Sequence, residues 1–245
     1  MSAPAGRAGA DGGWPDARPL VYAERPADGD PDGLLVLHHG RGSDERDLLG
    51  LADVLDPERR LHVVTPRAPL TLAGSPGYHW YVVPRVGHPD HDSFHHGFAA
   101  LAAFHDALRE RTGISPERTV LGGFSQGAVM SYALGLSGAR PTPAGLLVFS
   151  GFVPSVEGWQ VDPGAARGLP VFVAHGRADP VMDIAFGRRA RDLLTAAGAE
   201  VEYHESGAGH VIDPAHIAAA RAWLGARLPE LSSPAARRSP TRPAH

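Results

Sequence analysis

The chain has 245 residues, 43% of them hydrophobic and 20% charged, a formal charge of −4, and no Cys, Lys or Asn. That length allows one large domain or two small ones with ample core, and the slight acidic excess argues against nucleic acid as a partner. The missing residue types exclude a thiol nucleophile, disulfides, Cys-ligated zinc, a lysine Schiff base and a phosphate-loop lysine. Any nucleophile must be Ser, Thr, Asp, Glu, His or Tyr.

Residues 1–18 are rich in Gly, Ala and Pro and lack the apolar core of a secretory signal; they read as a disordered segment. The first strand signal is Leu20–Glu24, an expected antiparallel edge. Short runs rich in Val and Leu then read as buried parallel strands at Leu34–His38, Leu61–Thr65, Thr119–Gly122, Gly145–Phe149 and Pro170–Ala174, with the alternating Glu200–Tyr203 as a second edge. Helical patterns fall between them at Glu45–Val54, Ser93–Arg111, Gln126–Gly135, Asp183–Ala197 and Pro214–Leu228. Ser43 or Asp44 is placed to cap the first helix, Asp92 or Ser93 the second, and Gly198 to stop the fourth. This alternation predicts one α/β domain over 19–228: a mostly parallel central sheet of about seven strands, flanked by helices and without a cap domain. Residues 229–245, rich in Pro, Ser and Arg, read as a disordered tail. With no run long enough for a membrane span, a soluble cytoplasmic protein is expected, without stable membrane insertion.

Ligands of open parallel sheets bind beyond the carboxyl ends of the strands. The run ending at Leu121 is followed by Gly-Gly-Phe-Ser-Gln-Gly, a G-x-S-x-G pattern at Gly123–Gly127 that opens a helix. A sharp strand-to-helix turn there exposes the Ser125 hydroxyl, and flanking glycines remove side chains that would clash. The next strand ends supply an acid and a base in the order Ser, Asp, His: Asp179 within His175-Gly-Arg-Ala-Asp-Pro-Val, and His210 after Gly207-Ala-Gly. Each interval is long enough for about one helix-plus-strand unit. Ser125 is thus the candidate nucleophile, His210 the base that accepts its proton and Asp179 the group that orients the imidazole, with Asp183 and Asp213 as alternative acids. The oxyanion donors are expected to be the backbone N–H groups of Gln126 and of Arg41, in the loop His38-His39-Gly40-Arg41-Gly42.

These segments resemble the phospholipase/carboxylesterase family of α/β-hydrolases, which includes acyl-protein thioesterases. The resemblance is carried by Leu37-His38-His39-Gly40-Arg41-Gly42, Thr65-Pro66-Arg67-Ala68-Pro69, Trp80-Tyr81, Gly123–Gly127, Ser150-Gly151-Phe152-Val153-Pro154, His175–Val181 and Gly209-His210. It implies an α/β-hydrolase fold, Ser125, Asp179 and His210 as a triad, and an acyl groove lined by Trp80, Phe152 and Val181. It also implies hydrolysis of carboxylic esters or thioesters through an acyl-enzyme, without a cofactor, by a monomer or homodimer. The short interval between Ser150 and Pro170 leaves the site open. Arg41 departs from the family's usual Leu and adds a positive charge at the mouth, suited to anionic acyl or phosphate-bearing substrates. The His-rich stretch 88–96 raises a second reading, a metal-dependent hydrolase; a third is a hydrolase homologue that binds a ligand without turnover.

Overall fold

The computed structural model describes residues 19–71, 74 and 77–233; the expected disordered segment 1–18 and the tail beyond 233 lie outside them. Nine strands and six helices follow in chain order among these residues: β1 (Tyr22–Arg25), β2 (Gly33–His38), α1 (Leu49–Leu55), β3 (Leu61–Pro66), β4 (Leu70–Thr71), β5 (Tyr78–His79), α2 (His91–Thr112), β6 (Thr119–Phe124), α3 (Gln126–Gly135), β7 (Gly145–Phe149), α4 (Pro163–Ala166), β8 (Pro170–Gly176), α5 (Ile184–Ala196), β9 (Glu200–Ser206) and α6 (Pro214–Leu231). Seven of the strands form one sheet in the order β1-β3-β2-β6-β7-β8-β9. Within this sheet only the β1–β3 pairing is antiparallel.

The Val- and Leu-rich runs are buried on both faces, which is why they lack polar alternation. Leu34 and Val36 of β2 face a core completed by α2, α3 and α5, whereas Leu35 and Leu37 face α1 and α6. The chain builds β2 and β3, then returns to the other side of β2 as β6. The loops leaving β2 and β6 therefore flank the switch point where ligands of such sheets bind.

Three helix boundaries differ from expectation by two or more residues, each for a local reason. Helix α1 begins at Leu49 rather than Glu45, because Glu45 is engaged elsewhere: its carboxylate accepts from Arg67 at 2.6 and 2.7 Å and its carbonyl from Thr65 Oγ1 at 2.6 Å. No side chain caps α1, and Asp44 instead closes a turn onto the Arg46 N–H at 2.8 Å. Asp90, not Asp92 or Ser93, caps α2, accepting from the Ser93 N–H at 3.0 Å and its hydroxyl at 2.6 Å. Helix α6 runs through Pro229 to Leu231, past the expected end at 228, because Leu231, 1% exposed, is anchored in the core. The pair β4–β5 and the short α4 were not anticipated; α4 is the one helix between Ser150 and Pro170, and no cap domain stands there. Gly198 stops α5 as expected, with φ +87°.

Every residue of α3 is buried, and this sets the tolerance of the site's scaffold. A side chain at Gly127 would overlap the backbone carbonyls of His38 and His39. Gly127→Ala is expected to cost at least about 3 kcal/mol in a urea titration, because two backbones must separate. Gly225→Ala in α6, where a Cβ meets open space, should instead stabilise by up to about 1 kcal/mol.

Candidate active site

Three loops at the carboxyl ends of β6, β8 and β9 bring Ser125, Asp179 and His210 together. The Ser125 Oγ lies 2.9 Å from His210 Nε2, and His210 Nδ1 lies 2.7 Å from Asp179 Oδ2. With a proton on Nδ1, the imidazole donates to Asp179 and offers Nε2 to the serine hydroxyl. Ser125 has φ +56° and ψ −120°, in a region sparsely populated by residues with a side chain. Holding it there costs on the order of 1–3 kcal/mol. The backbone is kept in place by the Ser125 N–H bond to the Phe149 carbonyl at 3.0 Å, and a side chain at Gly123 would run into the backbone of Gly127. The elbow thus needs both glycines.

Asp179 has no exposed side-chain surface. Its Oδ1 accepts from the N–H groups of Val181 at 2.8 Å and Met182 at 2.7 Å, which leaves Oδ2 for His210. Two N–H donors on one oxygen fix the orientation of the carboxylate. The buried His175 Nε2 donates to the Met182 carbonyl at 2.7 Å and so closes the loop that carries Asp179. The alternative acids are otherwise employed: Asp183 caps α5 and Asp213 caps α6. The Phe124 ring lies against His210, centroids 4.8 Å apart.

The loop after β2 presses on the nucleophile. A Cβ at Gly40 would stand 3.5 Å from Ser125 Cβ and 3.2 Å from the Phe124 ring. His39 shapes this loop: Nδ1 donates to the Gly40 carbonyl at 2.7 Å, and Nε2 accepts from the Ala68 N–H at 3.0 Å. Burial holds its pKa below the ordinary value, in keeping with the neutral tautomer that this pair of bonds requires. Gln126 uses its side chain as a clamp, accepting from the Trp80 N–H at 2.9 Å and donating to the Tyr81 carbonyl at 2.8 Å. Its backbone N–H, the first of α3, has no acceptor within the helix.

The expected groove residues divide. Trp80 is a correction: it is 0% exposed and has no surface to offer a substrate. Its indole N–H donates to the His39 carbonyl at 2.8 Å, so it braces the loop beside the nucleophile instead. Phe152 is buried against Phe186, centroids 5.2 Å apart, and Phe186 in turn supports Gly87. Val181 is 47% exposed and lies two residues from Asp179; Val211, beside His210, is also exposed.

Sequence reasoning missed a buried chain behind the elbow. His38 Nδ1 lies 2.8 Å from Ser131 Oγ, which reaches the carbonyls of Gly122 and Gly127 at 2.8 and 2.9 Å, and His38 Nε2 meets His105 Nε2 at 3.2 Å. The double histidine His38-His39 was the one available signal. Burial pushes the His38 pKa well down and that of His105 to about 3; His39, His79, His96 and His216 are also lowered, mainly by burial. The folded chain therefore binds fewer protons than the unfolded one below the unfolded value near 6.5, so stability falls as pH drops from 7 to 5. The slope is at most about 1.4 kcal/mol per pH unit for each proton. In urea titrations at pH 7 and 5, His105→Leu should be less stable than wild type at pH 7 and less sensitive to pH.

Among the described residues no three His, Asp or Glu side chains group as metal ligands. The His-rich stretch is spent singly, His88 on Arg85, His91 on Asp92 and His95 on the Glu157 carbonyl at 2.7 Å. No described helix is long and apolar enough to cross a membrane.

A mostly parallel sheet with a strained serine elbow after its central strand defines an α/β-hydrolase. Solved structures agree: esterase PE8 is 32% identical with a TM-score of 0.74, over 84% of this chain and 98% of that one. The Bacillus cereus carboxylesterase is 25% identical with a TM-score of 0.74, over 84% and 94%. The sequence profile of the phospholipase/carboxylesterase family matches residues 25–227, and the chain belongs to that family. Among curated relatives, acyl-protein thioesterase 1 of Neurospora crassa is 33% identical over 144 residues, 56% of this chain and 58% of that protein. The chain spans just over half the length of this relative and of its Gibberella zeae counterpart (56%).

Proposed function

We propose that the chain is a serine hydrolase that cleaves carboxylic esters or thioesters through an acyl-enzyme, in a single catalytic domain. The observation that carries this reading is the continuous relay Ser125 Oγ to His210 Nε2 at 2.9 Å and His210 Nδ1 to Asp179 Oδ2 at 2.7 Å, set on a strained elbow. In the forward half-reaction, Ser125 Oγ bonds to the acyl carbon while its proton passes to His210 Nε2. The imidazolium is stabilised by the Asp179 carboxylate, and the developing oxyanion takes hydrogen bonds from the N–H groups of Gln126 and Arg41. His210 then gives the proton to the departing alkoxide or thiolate. Water, deprotonated by the same imidazole, attacks the acyl-enzyme and restores Ser125.

The family supports this reading, as do the names of the relatives, which are acyl-protein thioesterases, carboxylesterases and an esterase. Val181 and Val211 offer apolar surface beside the proposed base and its acid for an acyl or leaving group. The test is labelling by a fluorophosphonate, which phosphonylates an activated serine. Folded wild type should label and Ser125→Ala should not; wild type that stays unlabelled and turns over no p-nitrophenyl ester would sink the proposal.

A further inference from the structure

We propose that Arg41 makes this site selective for esters or thioesters carrying an anionic group, a carboxylate or a phosphate, close to the scissile carbonyl. The inference rests on the acyl-enzyme reading above and narrows its substrate class. Gly40 packs on Ser125 and Phe124, so Arg41 is rooted one residue from the nucleophile's contact. Its root is fixed: the Gly42 N–H donates to the Tyr78 carbonyl at 2.7 Å, and the Tyr78 N–H to the Ser43 carbonyl at 2.8 Å. From this turn the Arg41 side chain emerges exposed.

Next to this turn's Tyr78 stands His79, which is 8% exposed and whose Nδ1 has no hydrogen-bond partner. Burial lowers the His79 pKa, and the Arg41 charge lowers it further. His79 in turn precedes Trp80, whose N–H is bonded to the side chain of Gln126, the residue after Ser125. The Arg41 backbone is thus tied to the nucleophile along two routes, through Gly40 and through the Gly42–Tyr78 bond and the segment that leads on to Trp80 and Gln126.

Nearby carboxylates do not neutralise it. Glu45 is held in a two-pronged pair by Arg67, and Asp44 directs one oxygen to the Arg46 N–H. Asp44 and Asp47 both act on the neighbouring His39, so they temper the local field. Among the described residues, however, no carboxylate forms an ion pair with Arg41. An exposed guanidinium with its planar donors uncommitted suits a carboxylate or a phosphate.

The experiment compares kcat/KM for matched esters on the full chain. Mono-p-nitrophenyl glutarate against p-nitrophenyl butyrate puts the anion on the acyl side. On the leaving-group side, 4-carboxyphenyl acetate and 4-acetoxyphenyl phosphate are each compared with phenyl acetate, which separates carboxylate from phosphate. For at least one pair, Arg41→Leu should lower the anionic-to-neutral ratio by roughly three- to tenfold, mainly through KM, as suits an exposed charge. Arg41→Glu should lower it further and Arg41→Lys should keep most of it. The wild-type ratio should also fall as ionic strength rises from about 10 mM to about 500 mM. Ratios that are the same in wild type, Arg41→Leu and Arg41→Glu for all three pairs would overturn the proposal while leaving the hydrolase reading intact. Absence of turnover of every ester by folded wild type would overturn both.

Discussion

Ser125→Ala and His210→Ala are each expected to lower kcat for a p-nitrophenyl ester by roughly a millionfold, and the double variant to fall no further. In the proposed mechanism neither side chain works alone. The hydroxyl is a poor nucleophile unless its proton is withdrawn as the bond to carbon forms, and the imidazole at 2.9 Å has no other hydroxyl to activate. Once either is gone, the remaining rate comes from the oxyanion donors and from binding, which both single variants and the double variant retain. Single-turnover kinetics with active-site titration measure this, the titration guarding against traces of wild type. If the double variant were slower than either single variant by the product of their effects, the two residues would be acting independently and the relay would be wrong. Folding is not the obstacle, since the side-chain hydrogen bonds of Ser125 and His210 are made within the site, and Ser125→Ala keeps the backbone bond to Phe149.

The strands were legible because burial on both faces writes itself as short Val- and Leu-rich runs; β7 matches its run at both ends, and the other strands depart from theirs by at most three residues at either end. The helix starts were less so. Whether Glu45 opens a helix or turns back to Arg67 depends on a residue twenty-two positions away, and no local propensity encodes that. Leu231 shows the opposite failure: a Pro/Ser-rich composition suggested a tail, yet one leucine buried beneath Gly33 draws the helix past Pro229.

At the candidate site, the residues proposed to carry chemistry were legible because each stands at a strand end in a short Gly- or Pro-containing loop. The residues that hold them in position were not. Trp80 reads equally well as a groove wall or as a brace, and only its indole bond to the His39 carbonyl decides between the two. Likewise, His38, Ser131 and His105 come from three different elements, so their contact exists only after the sheet and its helices have closed. Among Asp179, Asp183 and Asp213, only Asp179 meets His210, while the other two spend an oxygen each on the first turn of a helix, and this favours Asp179 as the proposed acid.

Asp179→Asn is expected to preserve the fold and lower kcat by roughly 10⁴-fold. The reason lies in how the two carboxylate oxygens are used. Oδ1 accepts from the Val181 and Met182 N–H groups, and an amide can satisfy both only with its carbonyl oxygen. The amide NH₂ is then forced toward His210 Nδ1, where it donates. Nδ1 must accept, so the imidazole proton moves to Nε2, the nitrogen that faces Ser125. A base that already carries a proton on its working nitrogen cannot take another from the serine. Because the loop hydrogen bonds survive, the urea midpoint should change little while turnover collapses, and KM should shift far less than kcat. Fluorophosphonate labelling should slow in step with kcat. Asp179→Ala separates tautomer from position: with nothing to impose the wrong tautomer but two backbone N–H groups left unpaired, it should be less stable than Asp179→Asn. A variant Asp179→Asn with near wild-type kcat would show that the carboxylate does not set the imidazole tautomer and would remove Asp179 from the proposed relay.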